Sequence, residues 1–275
     1  MDHFVEKPPS SYPGWRIALQ IFGQFRCAKK VFETNVQNVR NIFGAEAQIN
    51  VFILSQKDPS STETIQQQLY IRNILSKYDM RVIFYQYTED IDGLLSDETE
   101  IQNKYNDRVL SLEDKHGHDW FVCKLWKRRH ILNKLFNAAD NESYDYVVHC
   151  RLFDISFQLL RPFDFLRRDD DSLYLSMDTF FMGCRETITK FLNFGQNMAD
   201  NLHYYHDIWT NPEFCETYKK WDSCLFNVKP TYCSEVQASY HIYKHFATYL
   251  QLRHDYNSEV PIQESKDYLH IKIVR

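Results

Sequence analysis

The sequence predicts an α/β protein whose mostly parallel sheet is flanked by helices, with a helical C-terminal part. Two observations support this fold class. Short apolar runs alternate with stretches of amphipathic helical spacing, and the connections between the runs are as long as a helix. Parallel strands need such connections, which cross over with a right-handed sense. No linker, repeat or low-complexity tract divides the chain, so we predict a single domain over 1–275 with a loose arm over 1–14.

The first half of the chain supplies three strands and two helices. Each expected strand is a short, largely apolar run, and each expected helix has apolar residues three or four positions apart. Gly44 is expected to end the first helix, because glycine favours the left-handed conformation of a C-cap. In the second helix, Ile65, Leu69, Ile74 and Leu75 are expected to face the core. In chain order the elements are strand 16–22, helix 27–42, strand 49–55, helix 63–78 and strand 80–87.

The second half begins with a polar excursion over 88–118, with one helix near 98–110, and continues with a strongly amphipathic helix over 119–138. The apolar stripe of that helix comprises Phe121, Leu125, Leu132, Leu135 and Phe136, and the other side carries Lys124, Lys127, Arg128 and Arg129. The remaining expected elements are strands 144–152 and 172–177, a helix from 183 to 194, a helical stretch over 200–222, a helix over 234–248 and one or two strands within 249–275.

The composition excludes several classes of function. Acidic residues number 37 and basic ones 32, and a net charge of -5 argues against a nucleic-acid binder. The chain has 7 glycines, where average usage would give about 19. None of them builds G-x-G-x-x-G, G-x-x-x-x-G-K-[ST] or G-x-S-x-G. The fingerprints of dinucleotide-binding proteins, P-loop proteins and protein kinases are therefore absent, and an α/β-hydrolase is disfavoured.

Cysteine usage and hydropathy predict a location. The 7 cysteines are odd in number and widely spaced, and no two of them form C-x-x-C. This pattern argues against a zinc knuckle and a secreted disulfide framework, and favours buried thiols in a reducing compartment. The first residues lack the basic and apolar regions of a signal peptide, and no run of 18 apolar residues occurs. We therefore expect a soluble, cytoplasmic protein without a membrane anchor.

Polar residues follow two of the expected strands, at the place where a doubly wound sheet binds its ligands. Gly23, Gln24 and Arg26 follow the first strand, and a glycine loop with a guanidinium can hold a phosphate. Arg151 and Asp154 close the fourth strand and could hold a diphosphate and a divalent cation. The plainer interpretations are an ordinary strand-to-helix loop and an Arg–Asp ion pair that fixes a loop.

Other polar residues have a structural interpretation beside the functional one. Asp178 follows the fifth strand and could act as a general base, or it could be a turn or N-cap residue. Lys124 belongs to a basic helix face, which is ordinarily solvated. The run Asp169–Asp171 is expected to be a solvated loop and not a metal site. Two histidine pairs are expected to be surface or packing residues: His203 with His206, and His241 with His245.

Six sequence blocks, taken in order, resemble the small, soluble GT-A-type glycosyltransferases of large DNA viruses and some bacteria. Each block is short, and together they span most of the chain. They are IALQIFGQFR at 17–26, INVFILS at 49–55, FVCKLWKRRHILNKL at 121–135, YDYVVHCRLFDISF at 144–157, SMDTFFMGCRETI at 176–188 and SEVQASYHIYKHF at 234–246. The resemblance implies a GT-A-like, Rossmann-like fold that binds a nucleotide-sugar donor at the edge of its sheet.

The resemblance also implies donor-binding residues. Gly23, Gln24 and Arg26 match the family's first-strand loop and would contact the donor nucleotide. Lys124 matches a basic helix position of the family. Asp178 matches the family's acid before an aromatic pair and a glycine.

One element departs from the family. Arg151 matches the Arg of an Arg-x-Asp element, but the family's acid falls on Phe153 and this chain has Asp154 one residue later. Either the strand end is shifted and Asp154 binds Mn²⁺ or Mg²⁺, or transfer is metal-independent and Lys124 and Arg151 neutralise the diphosphate. At the last block, Ser234-Glu235 keeps the family's acid and lacks its proline.

The reaction implied by the resemblance is transfer of a sugar from a nucleotide-sugar donor to a hydroxyl of a glycan acceptor. Cations must stabilise the departing diphosphate. An inverting enzyme also needs a carboxylate that takes the proton of the acceptor hydroxyl, and we expect Asp178 first and Glu235 second in that role. A viral enzyme of this kind would act on a capsid protein in the host cytoplasm. The resemblance does not choose among donors that carry xylose, glucose or rhamnose, and association with the family favours UDP-xylose.

Two hypotheses compete with this one. The first is a non-catalytic glycosyltransferase-like protein that binds carbohydrate or protein, which the displaced Asp154 favours. The second is a nucleotide-processing hydrolase, which the absence of a P-loop disfavours.

Overall fold

The computed structural model describes residues 12–25, 28–56, 64–88, 118–168, 170–176, 179–195, 211–213, 216, 234–246, 248–251, 253–254 and 269–273. The helices in these ranges are α1 (Ala28–Phe43), α2 (Thr64–Lys77), α3 (His118–Ala139), α4 (Arg185–Leu192) and α5 (Ser234–His245). The strands are β1 (Arg16–Gln24), β2 (Gln48–Gln56), β3 (Met80–Thr88), β4 (Tyr146–Cys150), β5 (Ile155–Leu159), β6 (Leu173–Ser176), β7 (Phe180–Gly183), β8 (Tyr249–Gln251), β9 (Arg253–His254) and β10 (Leu269–Ile273).

The larger sheet has seven strands in the order β3-β2-β1-β4-β7-β6-β8. β1 pairs in parallel with β2 and β4, and β2 pairs in parallel with β3. β7 runs antiparallel to both of its neighbours, so β6 and β8 again run in the direction of β1. This mostly parallel sheet with flanking helices confirms the predicted α/β, Rossmann-like fold class.

Both faces of the sheet are covered. On one face, Leu19 and Val51 share an apolar cluster with Phe32 of α1. On the other face, Phe52 meets Phe136 of α3 edge-on, with ring centroids 4.8 Å apart. Successive side chains of a strand point to opposite faces, so a strand covered on both sides needs apolar residues throughout. This explains why the first strands appear in the sequence as almost unbroken apolar runs.

Gly44 ends α1 as predicted. Its φ of 80° lies in the left-handed region, and its N–H donates to the carbonyl of Arg40 over 2.8 Å. The same Arg40 side chain donates to the carbonyls of Ala47 and Tyr78, both at 2.7 Å. These bonds tie the end of α1 to the start of β2 and to the end of α2.

The inward face predicted for α2 is wrong in part. Ile65 and Leu69 are 75% and 54% exposed, whereas Ile71 and Leu75 are wholly buried. Gln67, one turn before Ile71, is also buried. The face of α2 that contains Gln67, Ile71 and Leu75 therefore packs against the core, and the face that contains Ile65 and Leu69 is exposed.

A smaller sheet has three strands in the order β5-β10-β9. β10 pairs antiparallel with β5 and parallel with β9. β8, β9 and β10 confirm the prediction of strands within 249–275. The predictions missed β5, in which Ser156 and Gln158 interrupt the apolar residues, and β7, which was expected to be a lead into a helix.

The chain divides into two compact units, which we treat separately. The first comprises Met1–Glu89, Leu135–Ile188 and Tyr249–Arg275, and the second comprises Asp90–Lys134 and Thr189–Thr248. This division does not test the single-domain prediction. The helix expected near 98–110 and most of the stretch 200–222 lie outside the described residues. None of the described helices is long and apolar enough to cross a membrane.

Candidate functional site

The strand order reverses between β1 and β4 in the first unit. The chain steps outward from β1 through β2 to β3, and then returns through α3 to β4 on the other side of β1. In open α/β sheets such a reversal leaves a crevice outside the carboxyl ends of the two strands, where ligands bind. The last register pair between β1 and β4 is Ile21 with Cys150, so residues 22–24 and 151–154 lie beyond it at this edge.

Gly23 leaves the backbone open at the end of β1. Its φ is 129°, a conformation that residues with a side chain rarely adopt. A Cβ added there would meet no atom within 4 Å, so the space beside the backbone is free. Gln24 ends β1, and the structure describes its backbone only; Arg26 lies outside the described residues. The donor-binding roles of these three residues stay predictions.

Arg151 and Asp154 meet just after β4. The Nε of Arg151 donates to Oδ1 of Asp154 over 3.2 Å, and Nη2 donates to Oδ2. The two side chains are 17% and 12% exposed. The Arg–Asp ion pair, which sequence analysis gave as the plainer alternative to a diphosphate and cation site, is therefore present, in the two-pronged geometry that makes such pairs strong and directional. Removing one partner of a largely buried pair leaves a charge uncompensated, so the two residues depend on each other.

The turn that carries this pair is held from two sides. The N–H of Arg151 donates to the carbonyl of Thr179, just before β7, over 3.0 Å. The buried amide Nδ2 of Asn35, in α1, donates to the carbonyls of Leu152 over 3.1 Å and of Ile155 over 2.6 Å. Sequence analysis missed Asn35. Its signal is a single amide among the apolar residues on the buried face of α1.

Phe153, where the resemblance places the family's acid, points into the core. It is wholly buried, with its ring 5.8 Å from that of Phe25 and 5.3 Å from that of Phe32. Tyr70 of α2 completes this aromatic cluster. An acid at position 153 would be buried among these rings, so the carboxylate that this turn offers is Asp154.

The carboxyl end of β6 lies at the same edge of the sheet, because β6 runs in the direction of β1. Thr179 closes the turn that follows, since its N–H and its hydroxyl both donate to the carbonyl of Ser176, over 3.2 Å and 2.9 Å. Asp178 stands between these two residues in the sequence and lies outside the described residues. Its role as general base stays a prediction, and its neighbour Thr179 contacts the backbone of Arg151.

Lys124 and Glu235 belong to the second unit. Lys124 lies within α3 and Glu235 is the second residue of α5, and the structure describes only the backbone of both. Their roles stay predictions.

The basic face expected on α3 is wrong for two of its members. Arg128 and Arg129 are 8% and 0% exposed. The guanidinium of Arg129 lies 4.4 Å from the ring centroid of Trp126, which in turn meets Phe191 and Phe194 edge-on. A planar, weakly hydrated guanidinium stacks on an aromatic face, which lets arginine enter an apolar region where lysine would not.

His241 is a packing residue, as predicted. Its ring lies 4.9 Å from that of Phe194 and 4.6 Å from that of His245. Burial lowers the pKa of His241 to about 4, and the nearby His245 and Lys190 act in the same direction. The other pair, His203 and His206, lies outside the described residues.

In the run Asp169–Asp171, Asp170 is hydrogen-bonded and partly buried, which corrects the prediction for that residue; Asp171 is exposed, and Asp169 lies outside the described residues. The carboxylate of Asp170 accepts hydrogen bonds from the Tyr146 hydroxyl at 3.3 Å, from the Ser172 N–H at 2.9 Å, and from the Tyr174 hydroxyl. Burial raises the pKa of Asp170, but these hydrogen bonds outweigh burial and hold the pKa below its usual value. Tyr146 is the first residue of β4, so this cluster lies at the opposite edge of the sheet from Arg151.

Among the described residues of the turn that follows β4, Asp154 is the carboxylate that could hold a divalent cation. In the part of the chain that the structure describes, no group of three or more His, Cys, Asp and Glu side chains could hold a metal ion. Both oxygens of Asp154 already accept from Arg151. The described residues alone do not form a cation site, and Asp154 as a metal ligand stays a prediction.

No protein-family model matches the sequence, and the comparison with curated proteins returns no match. Among solved structures, the chain is similar to the crystal structure of mouse xyloside xylosyltransferase 1 in its apo form. The likeness covers 95% of this chain and 97% of that chain, with 8% sequence identity and a TM-score of 0.38. Likeness at this level carries no argument about function.

Proposed function

We propose that the protein is a glycosyltransferase that moves a sugar from a nucleotide-sugar donor to a hydroxyl of a glycan acceptor. The observation that carries the proposal is the position of Gly23, at the end of β1, and of Arg151, just after β4, on either side of one switch point. Both segments belong to the blocks that resemble GT-A-type glycosyltransferases. The missing glycine-rich fingerprints disfavour the dinucleotide and P-loop uses of such a crevice.

Arg151 is proposed to bind the diphosphate of the donor. A guanidinium is always protonated and presents paired N–H donors that fit a phosphate. In the structure these donors bind Asp154, so a diphosphate would replace that carboxylate or share Arg151 with it. Lys124 is proposed as a second cation. The alternative is that Asp154 binds Mn²⁺ or Mg²⁺ beside the diphosphate.

Asp178 is proposed as the general base, with Glu235 as the second candidate. The carboxylate takes the proton of the acceptor hydroxyl as its oxygen bonds to the anomeric carbon. The bond from that carbon to the diphosphate breaks, and the nucleoside diphosphate leaves with the electron pair. Asp178→Asn should remove nearly all transfer while nucleotide binding survives; unchanged turnover in this variant would exclude the assignment.

The donor is proposed to be a UDP-sugar, with UDP-xylose tried first, and the acceptor a glycan or glycoprotein in the cytoplasm. These choices rest on the sequence resemblance. No nucleic-acid partner is expected, because the net charge is -5.

The first experiment is a thermal-shift titration with UDP, GDP and their common sugar conjugates, each with Mn²⁺ and with a chelator. A ligand that binds only the folded state raises the apparent stability by mass action. A shift with one nucleotide identifies the donor class. Loss of that shift in chelator supports a metal at Asp154, and a shift insensitive to chelator supports Arg151 with Lys124. No shift with any nucleotide counts against the proposal.

The second candidate function is a non-catalytic protein with the same fold. The observation that favours it is that Arg151 and Asp154 satisfy each other without a ligand. Turnover separates the two functions. Release of nucleoside diphosphate that depends on an added sugar acceptor is expected of the enzyme, whereas binding without release is expected of the non-catalytic protein.

A further inference from the structure

The buried face of α1 contains one amide. Its buried residues are Ala28, Val31, Phe32, Asn35, Val36, Val39, Ile42 and Phe43. Asn35 is wholly buried, and a buried amide costs free energy unless it is hydrogen-bonded. Its NH₂ group has two donor hydrogens, and the structure gives that group two carbonyl acceptors in the turn after β4.

Each of the two acceptors directly follows one member of the Arg151–Asp154 ion pair in the chain. One is the carbonyl of Leu152, which follows Arg151, and the other is the carbonyl of Ile155, which follows Asp154. β4 ends at Cys150 and β5 begins at Ile155, so the Leu152 carbonyl lies between strands. Asn35 therefore links the two ends of the turn that carries the ion pair.

Other contacts fix the same turn from other directions. The N–H of Arg151 is held by the carbonyl of Thr179, and the ring of Phe153 is held between those of Phe25 and Phe32. These contacts act on the backbone at the start of the turn and on one side chain. Asn35 donates hydrogen bonds to the backbone at both ends of the turn, and these bonds set the separation between Arg151 and Asp154.

We infer that Asn35 is a positioning residue of the switch-point site, which holds the turn after β4 so that Arg151 can present its paired donors to a diphosphate. The ligand in this inference rests on the proposed function, whereas the effect of Asn35 on Arg151 does not. Preorganised groups bind more tightly because they lose less conformational freedom on binding.

The test compares Asn35→Leu with a control on the same helix. Leucine is close to asparagine in size and leaves both carbonyls without their donor. Val39→Ala is the control, because Val39 is equally buried one turn further along α1 and its loss also lowers stability. If Asn35→Leu does not fold, Asn35→Ser replaces it, since serine keeps one donor.

The first readout is the NMR signal of the Arg151 Nε–Hε group, recorded well below the unfolding temperature and assigned by its loss in Arg151→Lys. An ordered guanidinium bound to Asp154 gives a resolved, slowly exchanging signal. We expect this signal to be lost or moved in Asn35→Leu and kept in Val39→Ala. An unchanged signal in Asn35→Leu would reduce Asn35 to a purely structural residue and overturn the inference.

The second readout is the dissociation constant of UDP by calorimetry, in single and double variants. Asn35→Leu should weaken UDP binding about tenfold in the presence of Arg151, and should have no further effect in the Arg151→Ala background. Equal weakening in both backgrounds would mean that Asn35 does not act through Arg151. If the wild-type protein binds no UDP, the proposed function loses its support, and the NMR readout still decides the role of Asn35.

Discussion

Replacing Asp154 with Asn distinguishes a carboxylate that competes for Arg151 from one that holds a metal ion. The change keeps the shape of the side chain, removes its charge and places an NH₂ group where one oxygen now accepts from Arg151. The pair is mostly buried, with Asp154 12% exposed, so solvent screens it little. A hydrogen bond to a charged group contributes about 1.5–3 kcal/mol. The free energy of unfolding should therefore fall by about that amount.

The same interaction sets the expected change in affinity. If a diphosphate replaces the carboxylate at Arg151 and does not share the guanidinium with it, the wild-type protein loses the ion pair on binding and the variant does not. Because the variant does not lose these 1.5–3 kcal/mol on binding, its dissociation constant for UDP should be about 10- to 100-fold lower than that of the wild type. A variant that is less stable and yet binds more tightly is the expected outcome.

Calorimetric titration of UDP, in chelator and in Mn²⁺, measures this effect, and urea unfolding measures stability. Asp164→Asn is the control for lost negative charge, because Asp164 is exposed on the surface of the same unit. Weaker binding in Asp154→Asn, together with loss of any dependence on Mn²⁺, would refute the competition argument and make Asp154 a metal ligand.

Three further predictions concern the framework around this site and the second unit. Burial lowers the pKa of His241 from 6.5 to about 4, so between these pH values the unfolded chain binds a proton that the folded chain does not. The free energy of unfolding should drop by about 2 kcal/mol from pH 7 to pH 5, and urea titrations of His241→Phe should show a smaller drop. Gly23→Ala should cost about 1–2 kcal/mol through backbone strain alone, and a cost near zero would contradict the assigned φ. Ile71→Ala should lower stability by about 2–5 kcal/mol, while Leu69→Ala should leave the thermal midpoint nearly unchanged.

The α2 result shows what hydrophobic periodicity can and cannot predict. Ile65 and Leu69 stand four residues apart, and so do Ile71 and Leu75. Both stripes have the period of a helix, so the pattern predicts α2 but does not choose between the faces. The choice is made by packing: Ile71 and Leu75 belong to the apolar cluster that also contains Val51 of β2. The predicted inward face combines residues from both faces of α2. Only the predicted residues near the C-terminal end of the helix pack against the core.

The first four strands of the larger sheet could be predicted because each is a largely apolar run; β1, β2 and β4 are buried on both faces, and β3, at the edge of the sheet, is half-buried. Their apolar runs are long enough to be distinguished from helix, and the helix-length connections then require parallel pairing. β7 has only four residues and follows β6 after a tight turn that is closed by Thr179. A strand as short as β7 leaves almost no periodic pattern in the sequence. The sequence therefore predicts that a strand ends near Asp178 and that the following residues lead into a helix.

The candidate site was partly predictable for a geometric reason. Carboxyl ends of parallel strands share one edge, and the sequence predicts that the residues after the first and fourth strands lie at that edge, where such a sheet binds its ligands. The sequence does not give the order of the strands in the sheet. The structure does, because Ile21 of β1 pairs with Cys150 of β4. Asn35 shows the other limit, since its acceptors are 117 and 120 residues away. A buried amide must nevertheless find two acceptors somewhere. A single Asn on an apolar helix face therefore indicates that unpaired backbone lies nearby, and in this protein that backbone is the turn after β4.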